Sequence, residues 1–162
     1  MAKERIPQNV AEVLKEIGEN LALFYLYSEL TKDSDWGVFK NFNDVGADIV
    51  LIKERNNKQL EGVQKIKIEV KTRQGLVTVR KDKNVVHFTL SESEYRESDF
   101  VICYWVEHNY LFVVPVEELK VSKRKEENMY KFIASISKKT MNLNDSCKKY
   151  LFAWDLIRSE MR

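Results

Sequence analysis

Gly46-Ala47-Asp48-Ile49-Val50-Leu51-Ile52, followed after an interval by Lys65-Ile66-Lys67-Ile68-Glu69-Val70-Lys71-Thr72-Arg73, are the two runs whose reading decides the fold. Both have strand composition, and each carries charge where a buried strand is expected to be apolar. Asp48 opens the first run, and the β-branched block Ile49-Val50-Leu51-Ile52 behind it reads as buried on both faces. In the second run Ile66, Ile68 and Val70 alternate with Lys65, Lys67, Glu69, Lys71 and Arg73, so the two-residue period of a strand puts Glu69 and Lys71 on one face. Arg55-Asn56-Asn57-Lys58 and Gly62 supply turn chemistry between the runs, and the simplest connection is an antiparallel hairpin. That pairing brings Asp48, Glu69 and Lys71 close together.

Two carboxylates and an ammonium at the end of a hydrophobic strand pair are costly to desolvate unless something uses them. A divalent cation is the natural partner. Two hard oxygen ligands suit Mg²⁺, which keeps several waters and shares its shell with substrate phosphates. Lys71 would then stand beside the metal-bound water or the phosphate under attack, which completes the parts needed for phosphodiester hydrolysis.

Asp48 followed by Glu69-Val70-Lys71 resembles the motif of the PD-(D/E)xK nuclease superfamily, which includes restriction endonucleases, Holliday-junction resolvases and small repair or defence nucleases. In that superfamily a helix precedes a mixed sheet, the first acid begins the second strand, and E-x-K lies on the third. The resemblance covers roughly residues 10 to 115, with Ala47 standing where the motif has proline. It implies an α/β fold with a restriction-endonuclease-like core, an N-terminal helix plus a mixed central β-sheet flanked by helices. Gly18-Glu19-Asn20-Leu21-Ala22 resembles the superfamily's helix segment and makes Glu19 the helix acid, with Glu16 as the alternative. By this resemblance Asp48, Glu69 and the Val70 backbone carbonyl hold Mg²⁺, with Mn²⁺ able to substitute. Lys71 positions or helps activate the attacking water, or offsets charge in the transition state. Glu19 holds Lys71 or supports a second metal.

The chain's 162 residues suffice for one domain with a real core, and no repeat, low-complexity tract or Pro/Gly-rich linker divides it. A charged fraction of 32% beside 44% hydrophobic residues excludes global disorder. The net charge of +2 leaves any basic footprint to the distribution of charge. Lys65, Lys67 and Arg73 flank the expected site, and Arg80, Lys81 and Lys83 extend a positive track if the sheet curves that way, each able to neutralise a phosphate. Cys103 and Cys147 are too few for a disulfide framework, and Cys103 reads as a buried free thiol. Without an apolar leader or a membrane-length apolar run, a reducing cytoplasm is the default compartment.

Taken in order, residues 7 to 31 read as an amphipathic helix whose Val10, Val13, Leu14, Ile17, Leu21, Phe24 and Tyr25 would cover a sheet, apolar nearly all round from Leu21 to Tyr27. Trp36 to Phe42 is the expected first strand, and Asp44 is a further loop acid near Asp48. Leu76 to Val79 could continue the E-x-K strand beyond a bulge, and Arg80 to Asn84 reads as a basic turn before a Val85 to Thr89 strand. Ser91 and Glu94 have the spacing of a capping box for a short helix to about Ser98. Phe100 to Val106 and Tyr110 to Val116 form a hairpin about Glu107-His108-Asn109, at the centre or far side of the sheet. Glu117 to Glu127 reads as a solvated loop or helix face, or as a phosphate-contacting patch through Lys120, Lys123, Arg124 and Lys125. Met129 to Ile136 fits a strand or a helix, and Asn144 caps a final helix running to about Arg158.

His87 and His108, the only histidines, have no metal-ligand spacing, which argues against zinc hydrolase and histidine-dependent nuclease sites. P-loop, nucleophile-elbow and dinucleotide-binding motifs are missing. The expected function is a Mg²⁺-dependent DNA endonuclease, structure-directed or involved in defence or repair, with a homodimer as a natural way to cut two strands. RNA remains open as substrate. The alternative is a binding module or partner subunit that keeps the fold and not the chemistry.

Overall fold

The computed structural model describes residues 7–43, 45–53, 64–74 and 82–162. Asp44, the turn residues Arg55 to Lys58 and Gly62, the Leu76 to Val79 continuation, Arg80 and Lys81 lie outside the described residues. Helix α1 spans Gln8–Leu26 and runs on through a π-helical turn, Tyr27–Thr31. Its first residue follows Pro7, which cannot continue a helix backwards as a donor but fits its start. The buried face is Gly18, Glu19, Ala22 and Leu26.

That face corrects the expectation of which side of the helix covers the sheet. Val10, Val13, Ile17, Phe24 and Tyr27 are exposed, Phe24 at 61%, while Leu14, Leu21 and Tyr25 are half-buried. From Leu21 to Tyr27, where the apolar surround predicts burial on more than one side, Ala22 and Leu26 are buried, Leu21, Leu23 and Tyr25 pack half-buried against the core, and Phe24 and Tyr27 are exposed. Small residues explain the choice of face. A Cβ built on Gly18 would lie 1.8 Å from Thr72 Oγ1, so only glycine lets the helix backbone close on the strand beneath it.

Strands β1 (Trp36–Lys40), β2 (Ile49–Lys53) and β3 (Lys65–Arg73) are joined in antiparallel pairs, with Ile49 opposite Ile68 as the hairpin reading requires. β3 then pairs in parallel with β5 (Phe100–Trp105), and β5 pairs antiparallel with β6 (Tyr110–Pro115), giving a mixed sheet in the order β1-β2-β3-β5-β6. A parallel neighbour requires a crossover. Here the crossover contains β4 (Lys83–Leu90) and the short helix α2 (Glu92–Arg96). β4 joins β8 (Glu127–Ser137) and β7 (Lys120–Arg124) in an antiparallel sheet ordered β4-β8-β7.

The mixed sheet is covered on one face by α1 and by α4 (Trp154–Arg158), around Ile68, Ile102, Leu111, Trp154 and Ile157. Its other face carries Val101, Cys103, Trp105, Phe112 and Val114 against Phe88, Phe132 and Ile136 of the three-stranded sheet. β2 contributes nothing to that second core, so Ile49 and Leu51 are fully buried while Val50 and Ile52 are half-buried, not buried on both faces as expected. The Glu117 to Glu127 segment is a 3₁₀ turn, Val116–Glu118, and then β7; the tight hairpin to β8 turns on Lys125 and Glu126, both at positive φ. Met129 to Ile136 lies within β8, which decides the strand reading.

The single final helix is also corrected. Asn144 does cap α3, but α3 spans only Asp145–Lys148, and α4 begins at Trp154. Between them Leu151 bridges Phe112, the Val113 N–H donates to the Tyr150 carbonyl at 2.9 Å, and the Phe152 N–H donates to the Leu111 carbonyl at 2.8 Å. The open edge of β6 has been satisfied by this segment, and that competes with helical hydrogen bonding. Both cysteines are buried and free, and burial pushes the Cys103 thiol well above its ordinary value. Among the described residues no helix is long and apolar enough to cross a membrane.

Candidate active site

The antiparallel register of β2 and β3 brings Asp48, just before β2, beside Glu69. Asp48 Oδ2 accepts a 2.8 Å hydrogen bond from the Val70 N–H, which fixes the carboxylate at the head of the hairpin. Glu69 is buried at 5% exposure, although its neighbours Lys67 and Lys71 on the same strand face are exposed and half-buried. Burial, then the nearby charge of Asp48, push its carboxyl from the ordinary 4.5 up to about 8, against the opposing pull of Lys71.

Lys71 Nζ lies 3.2 Å from Glu69 Oε1 and 2.6 Å from Glu94 Oε1. Burial pulls the lysine's pKa down, but the hydrogen bond to Glu94 and the charges of Glu69 and Glu94 outweigh it, so the ammonium is held above its usual value. For Glu94, burial acts upward and is overcome by the hydrogen bonds from Lys71 and the Ser91 backbone, leaving the carboxyl below its usual value. The firm ion pair is therefore Lys71 with Glu94, with Glu69 a carboxyl that stays protonated near neutrality.

Glu94 was legible in the sequence as a helix cap and not as a site residue. The capping box does form: Ser91 Oγ accepts from the Glu94 N–H at 3.3 Å, and Glu94 Oε2 accepts from the Ser91 N–H at 2.8 Å. Its second oxygen is left pointing at Lys71 because the crossover between two parallel strands sets α2 on β4 and β8, with Glu94 within reach of Lys71 on β3. Nothing in local spacing carries that information.

Glu19 does not meet Lys71, which corrects that part of its expected role. α1 packs on the β3 face that carries Val70 and Thr72, whereas Lys71 projects from the opposite face. Glu19 instead lies 3.3 Å from Lys40 Nζ and 3.7 Å from Lys15 Nζ, and Lys40 also donates to Asn20 Oδ1 at 3.0 Å. Glu19, Glu16, Asp48, Glu69 and Glu94 nevertheless line one cleft of about 980 Å³ between α1, the loop before β2, and α2.

Of the basic residues named from sequence, the described ones, Lys65, Lys67, Arg73 and Lys83, do not line this cleft. Lys65 lines a separate cavity with Trp36 and Asp99, Lys67 is exposed beside Asp99, and Arg73 lies on another cavity wall beyond Lys71. Lys83 opens β4 opposite Ser137. Lys15 and Lys40 are the cations that line the cleft among the described residues, and neither was named.

A divalent cation suits this donor set. Such a cation, held beside Asp48, would take the place of the proton that burial keeps on Glu69. Among the described residues no group of three or more His, Cys, Asp or Glu is placed to hold a metal ion, so the protein's own donors would be the Asp48 and Glu69 carboxyls.

No protein-family model matches the sequence, and no curated protein matches it significantly. In three dimensions the chain is similar to a bacterial homing endonuclease, I-Ssp6803I, at a TM-score of 0.58 and 18% identity, covering 93% of this chain and 94% of that one. The fold is restriction-endonuclease-like. A second similar structure is Hjc of Archaeoglobus fulgidus, a Holliday junction resolvase, at a TM-score of 0.44 and 17% identity over 78% of this chain and 86% of that one. Along this fold Glu19 lies on α1, Asp48 just before β2, Glu69 and Lys71 on β3, and Glu94 on α2.

Proposed function

We propose that this chain is a divalent-metal-dependent deoxyribonuclease, an endonuclease that hydrolyses DNA phosphodiester bonds. The observation that carries this reading is the meeting of Asp48, Glu69 and Lys71 at one end of the β2–β3 pair, where the two carboxyls line an open cleft and Lys71 lies 3.2 Å from Glu69. Mg²⁺, or Mn²⁺ in its place, would be held by Asp48, Glu69 and the Val70 carbonyl, and supplies Lewis-acid charge at the phosphate. Lys71 keeps its proton and presents positive charge toward the reacting phosphate, while Glu94 and Glu69 fix where Nζ sits. The Val70 N–H keeps Asp48 in a single orientation. Glu19 and Lys40 form the opposite wall and orient the strand entering the cleft.

The reading extends to a homodimer. Val10, Val13, Ile17, Phe24 and Tyr27 repeat at three-, four- and seven-residue intervals along the face of α1 opposite its buried one, the pattern of a helix that pairs with another. Two cleavage sites related by two-fold symmetry would then act on the two strands of one DNA.

A second reading, a binding module without catalysis, is favoured by one feature: Lys71 and Glu19 are already satisfied by ion pairs within the protein. Cleavage of supercoiled plasmid, linear duplex, four-way junction, flap and single-stranded RNA, each with Mg²⁺, Mn²⁺ or EDTA, separates the two. Metal-dependent cutting that falls by about 10²-fold or more in Lys71→Ala and Asp48→Asn is the expected result. Folded protein that cuts none of these and gains no thermal stability from either metal is the binding module.

A further inference from the structure

The cleft poses an electrostatic problem. Besides Asp48, Glu19, Glu69 and Glu94 it is lined by Glu12, Glu16 and Glu97, with only Lys15 and Lys40 among its described cationic walls. A polyanion gains little affinity there, since binding to a nucleic-acid backbone comes mainly from neutralised phosphates. That affinity must come from another surface.

We infer that the outward face of the three-stranded sheet is a second DNA-contact surface, taking the phosphodiester backbone of a duplex whose scissile bond lies in the cleft; the inference rests on the nuclease reading and adds a binding site to it. Phe88, Leu90, Tyr130 and Phe132 point into the core between the sheets, so the residues alternating with them face outward. The ladder then aligns Thr89, Lys131 and Lys120 in one row across β4, β8 and β7. Lys131 and Lys120 are directly opposite each other, a like-charge pair that destabilises a sheet unless an anion lies over it. Neither lysine has an acidic partner within ion-pair distance among the described residues. Arg124 extends the face along β7, and Glu127 across from it makes no ion pair with it.

The row is continuous with the cleft. β4 passes from Thr89 into Ser91, which lines the cleft beside Glu94. Adjacent strands are about 4.8 Å apart, so Lys131 and Lys120 stand roughly 5 and 10 Å to the side of Thr89.

The test is the salt dependence of binding of a short fluorescein-labelled duplex, measured in EDTA by anisotropy, for wild type, Lys131→Ala, Lys120→Ala and Lys32→Ala. Each of the first two variants is expected to weaken binding several-fold and to lower the slope of log K against log salt by about 0.9, the share of one phosphate contact. Lys32→Ala removes the same charge at the end of the π-helical turn and should do neither. Thermal melts of Lys131→Ala and Lys120→Ala should not fall below wild type, because each relieves a repulsion. Unchanged slopes in both sheet variants, an equal loss in Lys32→Ala, or no duplex binding by wild type would each overturn the inference. Cleavage is read separately on the same duplex with Mg²⁺. Reduced slopes without cleavage remove the nuclease reading and keep the surface, whereas cleavage with unchanged slopes does the reverse.

Discussion

Glu69 is the residue whose environment departs furthest from what its strand position alone would give it. Its carboxyl is raised from 4.5 to about 8 by burial and by Asp48, so the folded state holds a proton that the unfolded chain has released. Its contribution to stability is full below about 4.5 and is lost as the pH rises toward about 8, at up to about 1.4 kcal/mol per pH unit. Metal-free protein should therefore melt at steadily lower temperature across that window, and Glu69→Gln should flatten the profile; calorimetry at a series of pH values checks both. Added Mg²⁺ should raise the melting temperature most at the alkaline end, where no proton has to be displaced. Glu94 gives a second prediction. Glu94→Ala frees Lys71 Nζ from its shortest contact and should lower turnover by about 10- to 100-fold, the usual effect of removing an orienting partner. Ser91→Ala removes the cap acceptor but leaves the Lys71 pair, costs about 1 kcal/mol of stability, and should retain most of the turnover. Turnover and chemical denaturation of the two variants, compared side by side, separate positioning from capping.

Among the elements, α1 shows how a small residue decides packing that hydrophobicity alone misassigns. The periodicity of Val10, Val13, Ile17 and Phe24 was legible and points to a real face, but Gly18 and Ala22 select the opposite one for the sheet. Gly18→Ala would place a methyl group 1.8 Å from Thr72 Oγ1 and should destabilise by about 1–3 kcal/mol. Thr72 Oγ1 is itself buried without a hydrogen-bond partner, so Thr72→Ala in the same chain should return part of that loss in urea unfolding. The strands were more legible than the helices, because alternation in β3 and the apolar runs of β5 and β6 are short-range patterns. The last helix was misread for a reason outside its own sequence: the carbonyls and N–H groups at the edge of β6 draw Tyr150 to Phe152 out of helical geometry.

At the scale of the whole molecule, charge is sorted by place while the total stays near neutral at +2. Acids gather in the cleft, and β7 with its partner strand carries Lys120, Lys123, Arg124 and Lys131. The exposed stripe of α1 predicts self-association. Sedimentation velocity should give a dimer, and Ile17→Glu, which puts a charge in the middle of the stripe, should shift it to monomer without lowering the melting temperature, since Ile17 is 48% exposed.

The sequence by itself determined the hairpin that joins Asp48 to Glu69, the face shared by Glu69 and Lys71, the capping box of α2, and the mixed α/β plan, because each depends on strand alternation, local turn and cap chemistry, or a motif whose order survives in the primary structure. Only the tertiary structure decided that Lys71 is held by Glu94 and not by Glu19, that α1 turns its bulky stripe outward, and that Lys120 and Lys131 stand side by side. Those contacts join segments far apart in the chain, and they are set by a parallel crossover, a helix approach limited by one glycine, and the register of a second sheet.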